Sequence, residues 1–523
     1  MAEGARARSP GATLAIPLAA RLLSDQLTPV LAYRRLVAPD ARTDPSFLLE
    51  SVEGGERQGR YSILASRPAL EVVAHAHGVR VTDHVRQTRS EGDSPDPLGV
   101  MRQLTSGVVL IRPPAPSPRM ELPRCPLGGW FGFAGYDAVR YREPEKLAFA
   151  HAPPDDRTLP DLHFGLYDGV VIFDHVAKLV YVVQLAWVAP GADPGAAWVR
   201  ASERLEARVA EVQRHSKPLA SGRVEGERPG PRPRSNMTGE QHAVMVARAL
   251  EYIRAGDIFQ VVLGQRFERE STADPFDIYR ALRAVNPSPY MVYMQGQGCI
   301  LAPTSPEILC RVRRRDDNRL VLTNRPLAGT RRRGSTPDED RDLERELLSD
   351  AKERAEHVML VDLGRNDVGL VAEPGTIELP SVMEIERYSH VMHISSTVTG
   401  VLRPGLDAWD ALAAALPVGT ISGAPKVRAM QIIDELEPVR RGPYGGGMGY
   451  CSLDGEMDIA LTLRTIVAPT ALHHAGRWTY HLQASGGIVA DSQAPAEFAE
   501  TVNKAAAMAR AIDLAEQAFA ASS

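Results

Sequence analysis

The chain has little cysteine and no long apolar run, and each shortage excludes a class of protein. Four of its 523 residues are cysteines, and Cys125, Cys299, Cys310 and Cys451 show neither CxxC spacing nor the close pairing of a disulfide framework. They therefore indicate core positions in a reducing cytoplasm rather than a zinc site or a secreted scaffold. No apolar stretch is long enough to span a membrane.

An excess of charge of one sign is also missing. The formal net charge is -5, and lysine and arginine are scattered without a basic stripe, which argues against a dedicated nucleic-acid-binding protein. An apolar stretch follows Arg6 and Arg8, but Pro17 interrupts it and Arg21 follows closely, so it is a poor signal peptide. We expect a cytoplasmic protein that binds neither nucleic acid nor a membrane.

What the chain does have is length and apolar content. At 44% hydrophobic residues it can bury a large core, and its length exceeds that of a usual single domain. Residues 214–238 are rich in proline, glycine and arginine without apolar periodicity, which is typical of a linker or long surface loop. Short β-rich runs, such as residues 169–173 and 179–183, and a helix near 196–213 precede this segment. Helices near 241–255 and 278 and strands near 258–265, 290–294 and 300–302 follow it, an order that predicts an α+β fold.

Two segments carry glutamates three residues apart. Glu353 and Glu356 form one pair and Glu497 and Glu500 the other, and in a helix each pair lies on one face. Four carboxylates in one place repel each other, so a fold that gathers them needs a cation or shared protons. Oxygen ligands from one or two carboxylates, water and an anionic substrate are how proteins usually hold Mg²⁺. The alternative is two solvated glutamate faces.

The flanking residues favour the magnesium site. Residues 357–363 continue the helical spacing, and Gly364 followed by Arg-Asn-Asp predicts the end of the helix there. Asp350 with Glu353 resembles a capping box, so Glu353 has a possible structural task. The second pair follows a strand and glycine turn at residues 485–492, which brings backbone N–H groups beside a helix start, where anions bind.

Two glycine-rich segments invite a nucleotide-binding interpretation and do not fit it. Residues 419–426 have the wrong glycine spacing for a P-loop and no Ser or Thr after Lys426, and residues 444–450 do not match the dinucleotide fingerprint. Tight turns that place backbone amides against a small anion, or turns with only a structural role, remain open for both.

Taken together, these segments resemble the chorismate-binding enzymes, and among them the large subunits of anthranilate synthase. The resemblance rests on Gly-Asp-Ile-Phe-Gln-Val-Val (256–262), Pro-Thr-Ser-Pro-Glu (303–307), Arg-Pro-Leu-Ala-Gly-Thr (325–330), Ala-Glu-His-Val-Met-Leu-Val-Asp-Leu-Gly-Arg-Asn-Asp (355–367), Val-Gly-Thr-Ile-Ser-Gly-Ala-Pro-Lys (418–426) and Ala-Leu-Thr-Leu-Arg-Thr (460–465). Phe-Leu-Leu-Glu-Ser (47–51) and Gly-Phe-Ala-Gly-Tyr-Asp (132–137) extend it to the N-terminal half.

The resemblance implies a fold and an activity. The fold would be antiparallel β-sheets packed as a sandwich with helices outside, in two intimately associated domains: an N-terminal regulatory part at 25–213 and a catalytic domain at 239–515. The activity would be the Mg²⁺-dependent conversion of chorismate and ammonia to anthranilate and pyruvate, the first committed step of tryptophan biosynthesis. Because the chain lacks a glutaminase motif, a separate glutamine amidotransferase subunit would supply the ammonia.

The resemblance also assigns roles to single residues. Glu356 and Glu500 would hold Mg²⁺, supported by Glu353 and Glu497. Glu307 would protonate the departing hydroxyl, and His393 would assist proton transfers during the loss of pyruvate. The remaining expected contacts with the reacting substrate are Gln260, Gly329, Thr330, Thr420, Tyr450, Arg464, Gly486, Gly487 and Lys504.

Single positions separate the members of the family. Ala328 stands where aminodeoxychorismate synthases of this family place a lysine nucleophile, and Gln260 stands where isochorismate and salicylate synthases place a lysine base. Ammonia attack at C2 is therefore favoured over those reactions. The alternative of a non-catalytic amino-acid sensor of the same fold is opposed by the intact residues Glu307, Glu356, Arg464, Glu500 and Lys504. Ser485 and Gly486 replace the usual Gly-Ala, and Pro495 falls one place later than usual.

A feedback site is implied as well. In the resembling enzymes, segments corresponding to 48–51 and 286–291 meet and bind tryptophan. Here the ligand would contact Glu50, Ser51, Pro289, Tyr290 and Met291, with the carboxylate and hydroxyl meeting its α-amino group and the other three forming a wall for the indole.

Overall fold

Two large β-sheets form the centre of the molecule. The computed structural model describes residues 11–23, 25–38, 42–53, 57–76, 78–114, 121–216, 219–224, 226, 228–388 and 391–519. The strands are β1 Thr13–Leu23, β2 Ser46–Glu50, β3 Val52–Glu53, β4 Arg57–Gln58, β5 Tyr61–Ser66, β6 Leu70–His75, β7 Gly78–Asp83, β8 Thr88–Asp93, β9 Val108–Leu110, β10 Gly129–Ala134, β11 Leu162–Tyr167, β12 Gly169–Asp174, β13 Leu179–Val188, β14 Arg234–Ser235, β15 Gln260–Ser271, β16 Tyr290–Gly296, β17 Cys299–Ser305, β18 Ile308–Arg314, β19 Leu320–Asn324, β20 Leu327–Arg332, β21 Glu378–Arg387, β22 Val391–Val401, β23 Gly423–Ala424, β24 Gly447–Ser452, β25 Met457–Leu461, β26 Thr465–Pro469 and β27 Trp478–Ile488.

The helices lie between these strands in the chain. They are α1 Pro29–Leu36, α2 Pro97–Leu104, α3 Pro194–Gln213, α4 Gly239–Arg254, α5 Pro275–Val285, α6 Pro337–Ser349, α7 Ala351–Gly369, α8 Ala408–Ala415, α9 Gly419–Ser422, α10 Lys426–Leu436 and α11 Ala494–Ala518, with short 3₁₀ helices at Tyr136–Tyr141, Phe149–His151 and Thr470–Leu472. None of them, over the described ranges, is long and apolar enough to cross a membrane.

Both sheets draw strands from both halves of the chain. The first runs β14-β15-β27-β26-β17-β16-β2-β5-β12-β13-β1-β9, and the second runs β20-β22-β19-β18-β25-β24-β10-β11-β6-β7-β8. The halves join where β16 pairs antiparallel with β2 and where β24 pairs antiparallel with β10. The boundaries 25–213 and 239–515 stay a prediction, since both sheets continue across them.

The two sheets pack face to face, as the sandwich expectation requires. Phe47 of the first sheet stacks on Phe131 of the second with ring centroids 4.1 Å apart, inside an apolar cluster drawn from both sheets. Truncating either ring to Ala would cost about 3–5 kcal/mol of stability. Helices α5 and α11 cover the outer face of the first sheet and α8 that of the second. The architecture is thus an α+β sandwich with helices outside.

Local signals explain why several helices begin where they do. Asp193, Asp274 and Asp350 accept hydrogen bonds from the first backbone N–H groups of α3, α5 and α7, and Thr238 forms a full capping box with Gln241 at α4. The helices predicted near 196–213 and 241–255 are therefore found within two residues of their expected bounds. The described part of 214–238 has no helix and one two-residue strand.

The expected end of the glutamate-bearing helix at Gly364 is wrong. Helix α7 runs on to Gly369. Gly364 faces β19, and a Cβ added to it would lie 2.8 Å from Asn324 Oδ1. The glycine therefore serves close packing inside the helix rather than termination. Asp367, three residues beyond that expected end, lies in the helix, is buried and is ion-paired with Lys426.

Candidate active site

A cavity of about 780 Å³, here called the first cavity, lies among the ends of β15 and β27, strand β22 and helices α7 and α11. Its lining includes the predicted residues Gln260, Glu307, Thr330, Glu356, His393, Thr420, Arg464, Gly487, Glu500 and Lys504. The structure thus brings together residues that are up to 244 positions apart in the sequence, from Gln260 to Lys504.

Glu307 is a buried acid in this cavity. It is only 4% exposed, and burial raises its pKa to about 8, although the Thr420 hydroxyl donates to its Oε1 at 3.0 Å and partly opposes that rise. A carboxyl with this pKa keeps its proton at pH 7. Glu307 can therefore donate a proton to a ligand in the cavity.

His393 is a buried neutral base. Burial lowers its pKa to about 4. Its Nδ1 lies 2.9 Å from the Gly329 carbonyl and 3.1 Å from Thr330 Oγ1; since a carbonyl only accepts, Nδ1 carries the ring proton. Its Nε2 is buried and has no hydrogen-bond partner among the described residues. The imidazole therefore presents an unprotonated nitrogen, and Gly329 takes part through its backbone rather than as cavity lining.

The two glutamate pairs converge on the end of β27. An ideal Cβ on Gly486 would lie 3.2 Å from Glu497 Oε2 and 3.8 Å from the Glu500 carboxyl carbon, and one on Gly487 would lie 3.8 Å from Glu356 Oε1. Burial raises the pKa of Glu356, and the neighbouring carboxylates add to the rise. Burial likewise raises the pKa of Glu497. This end of the cavity therefore holds an excess of carboxylate.

Three of the four glutamates have partners within the chain. The Gln260 amide donates to Glu356 Oε1 at 3.0 Å, and Lys504 Nζ lies 2.6 Å from Glu500 Oε1. Glu353, behind the lining, is bonded by Arg331 at 3.2 Å. Glu353 and Glu497 thus flank Glu356 and Glu500.

The donor atoms fit Mg²⁺ better than a transition metal. No group of three or more His, Cys, Asp or Glu side chains in the described ranges is placed to hold a metal ion by itself. Glu356 and Glu500 offer oxygens only, and the Oε1 of Gln260 beside them is buried with no partner in the described part of the chain. Mg²⁺ typically takes one or two protein carboxylates and completes its octahedron with water and substrate, so a site finished by an anionic ligand suits these residues.

Two cations face the same space. Arg464 lines the cavity, burial lowers its pKa, and no described carboxylate pairs with it. Lys504 Nζ donates to the Ser485 carbonyl at 2.8 Å. A carboxylate-bearing ligand would give Arg464 a counter-charge and would share Lys504 with Glu500.

Tyr450 is the predicted residue that the structure places elsewhere. It lines a different cavity, where Arg313 donates to its hydroxyl at 3.1 Å. Tyr444, six residues earlier, lines the first cavity instead, and burial raises its pKa to about 12. Tyr444 precedes β24 and Tyr450 lies on it, and the two side chains line different cavities.

A second cavity of about 670 Å³ holds most of the predicted feedback residues. Glu50, Ser51, Pro289 and Tyr290 line it, together with the arginines Arg60, Arg124, Arg311, Arg313, Arg325 and Arg387. Met291 does not line it, because β16 alternates its side chains and Met291 packs into the core behind the sheet. The Glu50 carboxylate is also engaged, since the Tyr279 hydroxyl donates to it at 2.7 Å and Arg283 Nε lies 2.8 Å away.

The two cavities share a wall. Pro306, Leu327 and Tyr388 line both of them. Pro306 directly precedes Glu307, and the Tyr388 ring lies 5.7 Å from the His393 ring in an edge-to-face arrangement. Its hydroxyl donates to Glu386 of the second cavity at 2.8 Å. A ligand in the second cavity is therefore separated from Glu307 only by Pro306 and from His393 only by Tyr388.

Residues 52–510 match the profile of the family described as chorismate binding enzyme. That match covers most of the chain. The chain belongs to the family of chorismate-binding enzymes.

Relatives within this family are similar over nearly the whole length. The chain is 52% identical to anthranilate synthase alpha subunit 1, chloroplastic, of Arabidopsis thaliana, over 96% of this chain and 86% of that protein. It is 46% identical to anthranilate synthase component 1 of Thermus thermophilus, over 96% and 98%. The crystal structure of anthranilate synthase component I from Streptococcus pneumoniae superposes with a TM-score of 0.68 at 32% identity, over 94% and 99%. The predicted family and fold are confirmed.

Sequence reasoning missed two residues of this chorismate-binding enzyme that line the first cavity, Tyr444 and Tyr388. Tyr444 lies in the glycine-rich segment 444–450, in which the sequence analysis predicted Tyr450 as the substrate contact. Tyr388 follows an edge strand and had no motif to mark it, so only the fold reveals it.

Proposed function

We propose that this protein is the chorismate-converting subunit of an anthranilate synthase, which forms anthranilate and pyruvate from chorismate and ammonia with Mg²⁺. The observation that carries the proposal is the pairing, in one cavity, of a protonated carboxyl at Glu307 with an unprotonated imidazole at His393. An acid and a base whose pKa values are driven apart by burial suit a reaction with one proton donation and one proton removal.

The residues divide the reaction between them. Ammonia adds at C2 of chorismate while the C4 hydroxyl leaves, and Glu307 gives that hydroxyl its proton, so that water departs. His393 then takes the C2 proton through Nε2 as the C3–O bond to the enolpyruvyl group breaks and the ring becomes aromatic. The enolpyruvate that leaves takes up one proton at its methylene carbon, which balances the proton lost from C2, and becomes pyruvate. Arg464 and Lys504 bind substrate carboxylate. Glu356 and Glu500 would hold Mg²⁺, which supplies a counter-charge for the ring carboxylate and orients it.

The other reactions known for this family are not favoured. Ala328 lines the first cavity and offers no amine for a covalent adduct. Gln260 donates to Glu356 and cannot deprotonate a water. Attack by ammonia needs neither a covalent lysine adduct nor a base, since the neutral form of ammonia is already nucleophilic.

The proposed function also includes a source of ammonia, an inhibitor and a cellular compartment. A separate glutamine amidotransferase subunit supplies ammonia, in keeping with the component and subunit names of the relatives. Tryptophan binds the second cavity, where Pro289 suits an indole and arginines suit a carboxylate, which would compete for five of the six with the carboxylates of the chain that already pair with them. It inhibits by favouring a state of the shared wall that binds chorismate poorly. The protein acts in the cytoplasm.

The activity is tested with the purified chain, chorismate, Mg²⁺ and an ammonium salt, following anthranilate fluorescence and pyruvate. We expect both products in equal amounts and none without Mg²⁺. Isochorismate or aminodeoxychorismate as the product would contradict the proposal, and so would the absence of any product.

A further inference from the structure

Ser485 is a polar residue in the wall of the first cavity, beside the residues proposed to bind and convert the substrate. It lies on β27, is 5% exposed and lines the cavity. Its Oγ is buried and has no partner of hydrogen-bonding geometry in the described chain. A hydroxyl left unpaired in a fold costs stability that its removal would return, so its presence needs a reason.

The opposite strand is shaped to admit this side chain. Gly264 on β15 faces Ser485 across the antiparallel pair, and an ideal Cβ on Gly264 would lie 2.2 Å from Ser485 Oγ. Any other residue at 264 would therefore collide with the hydroxyl. Gln483, two residues earlier on the same face of β27, also lines the cavity, and its buried Oε1 has no hydrogen-bond partner among the residues that the structure describes.

The position next in the chain shows the reverse arrangement. Gly486 points to the opposite face, where an added Cβ would lie 3.2 Å from Glu497 Oε2. Gly486 thus leaves room beside Glu497 and Glu500, whereas Ser485 adds a hydroxyl to the cavity.

The charge of Lys504 indicates which kind of ligand group would reach the Ser485 hydroxyl. Lys504 Nζ is bonded to the carbonyl of Ser485 itself at 2.8 Å, so an anionic group drawn to Lys504 arrives beside this residue. The Tyr444 hydroxyl lies next to Ser485 as well, and its interactions with the side chain and backbone of Ser485 oppose the rise in the pKa of Tyr444 that burial causes. A carboxylate at this point accepts from a hydroxyl, whereas a neutral or apolar group would not use it.

We propose that Ser485 is a substrate-positioning residue whose hydroxyl donates a hydrogen bond to a carboxylate of the dicarboxylic substrate held near Lys504. The inference rests on the proposed function, because it takes chorismate as the ligand. A hydrogen bond to a charged group corresponds to about 10- to 100-fold in affinity.

Calorimetric titration of chorismate with Mg²⁺ and without ammonia or glutamine tests this. We expect Ser485→Ala to weaken binding about 10- to 100-fold while leaving its melting temperature equal to or above that of the wild type. Ser395→Ala is the matched control, since Ser395 Oγ is also buried without a described partner but does not line the cavity; its affinity should equal that of the wild type. In turnover with ammonium, Ser485→Ala should raise KM with little change in kcat.

The outcomes separate this inference from the proposed function. Wild-type protein that binds chorismate together with an unchanged affinity in Ser485→Ala would overturn the role of Ser485 alone. A lower melting temperature with unchanged affinity would make Ser485 a structural partner of Tyr444 and would also overturn it. Wild-type protein that does not bind chorismate would overturn both.

Discussion

Replacing Glu307 by Gln removes a proton donor while keeping the size and the hydrogen bond of the side chain. The Thr420 hydroxyl donates to Glu307 Oε1 at 3.0 Å, and an amide oxygen accepts it equally well. With a pKa of about 8 the wild-type carboxyl is about 90% protonated at pH 7, against less than about 1% at the ordinary value. A positioned acid typically contributes at least about 100-fold, so we expect kcat for anthranilate formation to fall by about that factor or more.

The same substitution has an opposite effect on stability. The folded pKa of Glu307 lies above the unfolded value, so stability is fully present below about pH 4.5 and is lost as pH rises toward 8. The loss is roughly 1.4 kcal/mol per pH unit within that window. Glutamine does not ionise, so the variant should gain about 3 kcal/mol over the wild type between pH 5.5 and 7.5.

Two measurements check this reasoning. Anthranilate fluorescence with ammonium gives the pH profile of kcat/KM, which should fall above about pH 8 in the wild type, and urea unfolding gives stability at each pH. Asp161→Asn is the control, because Asp161 is another buried carboxyl with a raised pKa, about 6, that lies outside both cavities. Activity within about tenfold of the wild type in Glu307→Gln, or a stability difference that does not change with pH, would refute the assigned pKa and role.

Three further outcomes are expected. Glu356→Gln or Glu500→Gln should abolish turnover at ordinary Mg²⁺ with a melting temperature no lower than that of the wild type, because a site with so few protein ligands tolerates no loss; near-normal turnover in either variant would contradict the metal assignment. His393→Gln should slow pyruvate release about 100-fold or more and let the ammonia adduct accumulate, as seen by chromatography, whereas a wild-type product ratio would speak against the base. Ser51→Phe should fill part of the second cavity and abolish inhibition by tryptophan without loss of catalysis; a tryptophan titration giving the same inhibition as the wild type would disprove the site.

The fold and the position of the first cavity were accessible from the sequence for different reasons. The capped helix starts at Asp193 and Thr238 are local, so short-range patterns locate them. The convergence of Glu356 and Glu500 is not local, and only the resemblance to a family brought these residues together before the structure did. The extension of α7 past Gly364 depends on a contact with Asn324, which no window of sequence contains.

The errors at single site residues concern the face to which a side chain points. Met291 follows Tyr290 on a strand, so the alternation of side chains would have excluded one of the two from the second cavity. For Tyr444 and Tyr450 the spacing gives no such answer, because a glycine turn separates them and sets their directions. The engagement of Glu50 by Arg283 likewise depends on packing between β2 and α5.

The pairing of early strands with late ones has a consequence for synthesis on the ribosome. Strand β10 ends at Ala134 and its neighbour β24 begins at Gly447. One edge of β10 therefore has no β24 to pair with until roughly 310 more residues have been synthesised. At about 5–20 residues per second this is about 15–60 s. During that time the nascent chain exposes a strand edge able to pair with other chains. Slow elongation or loss of the C-terminal part should therefore lead to aggregation rather than to a stable N-terminal fragment.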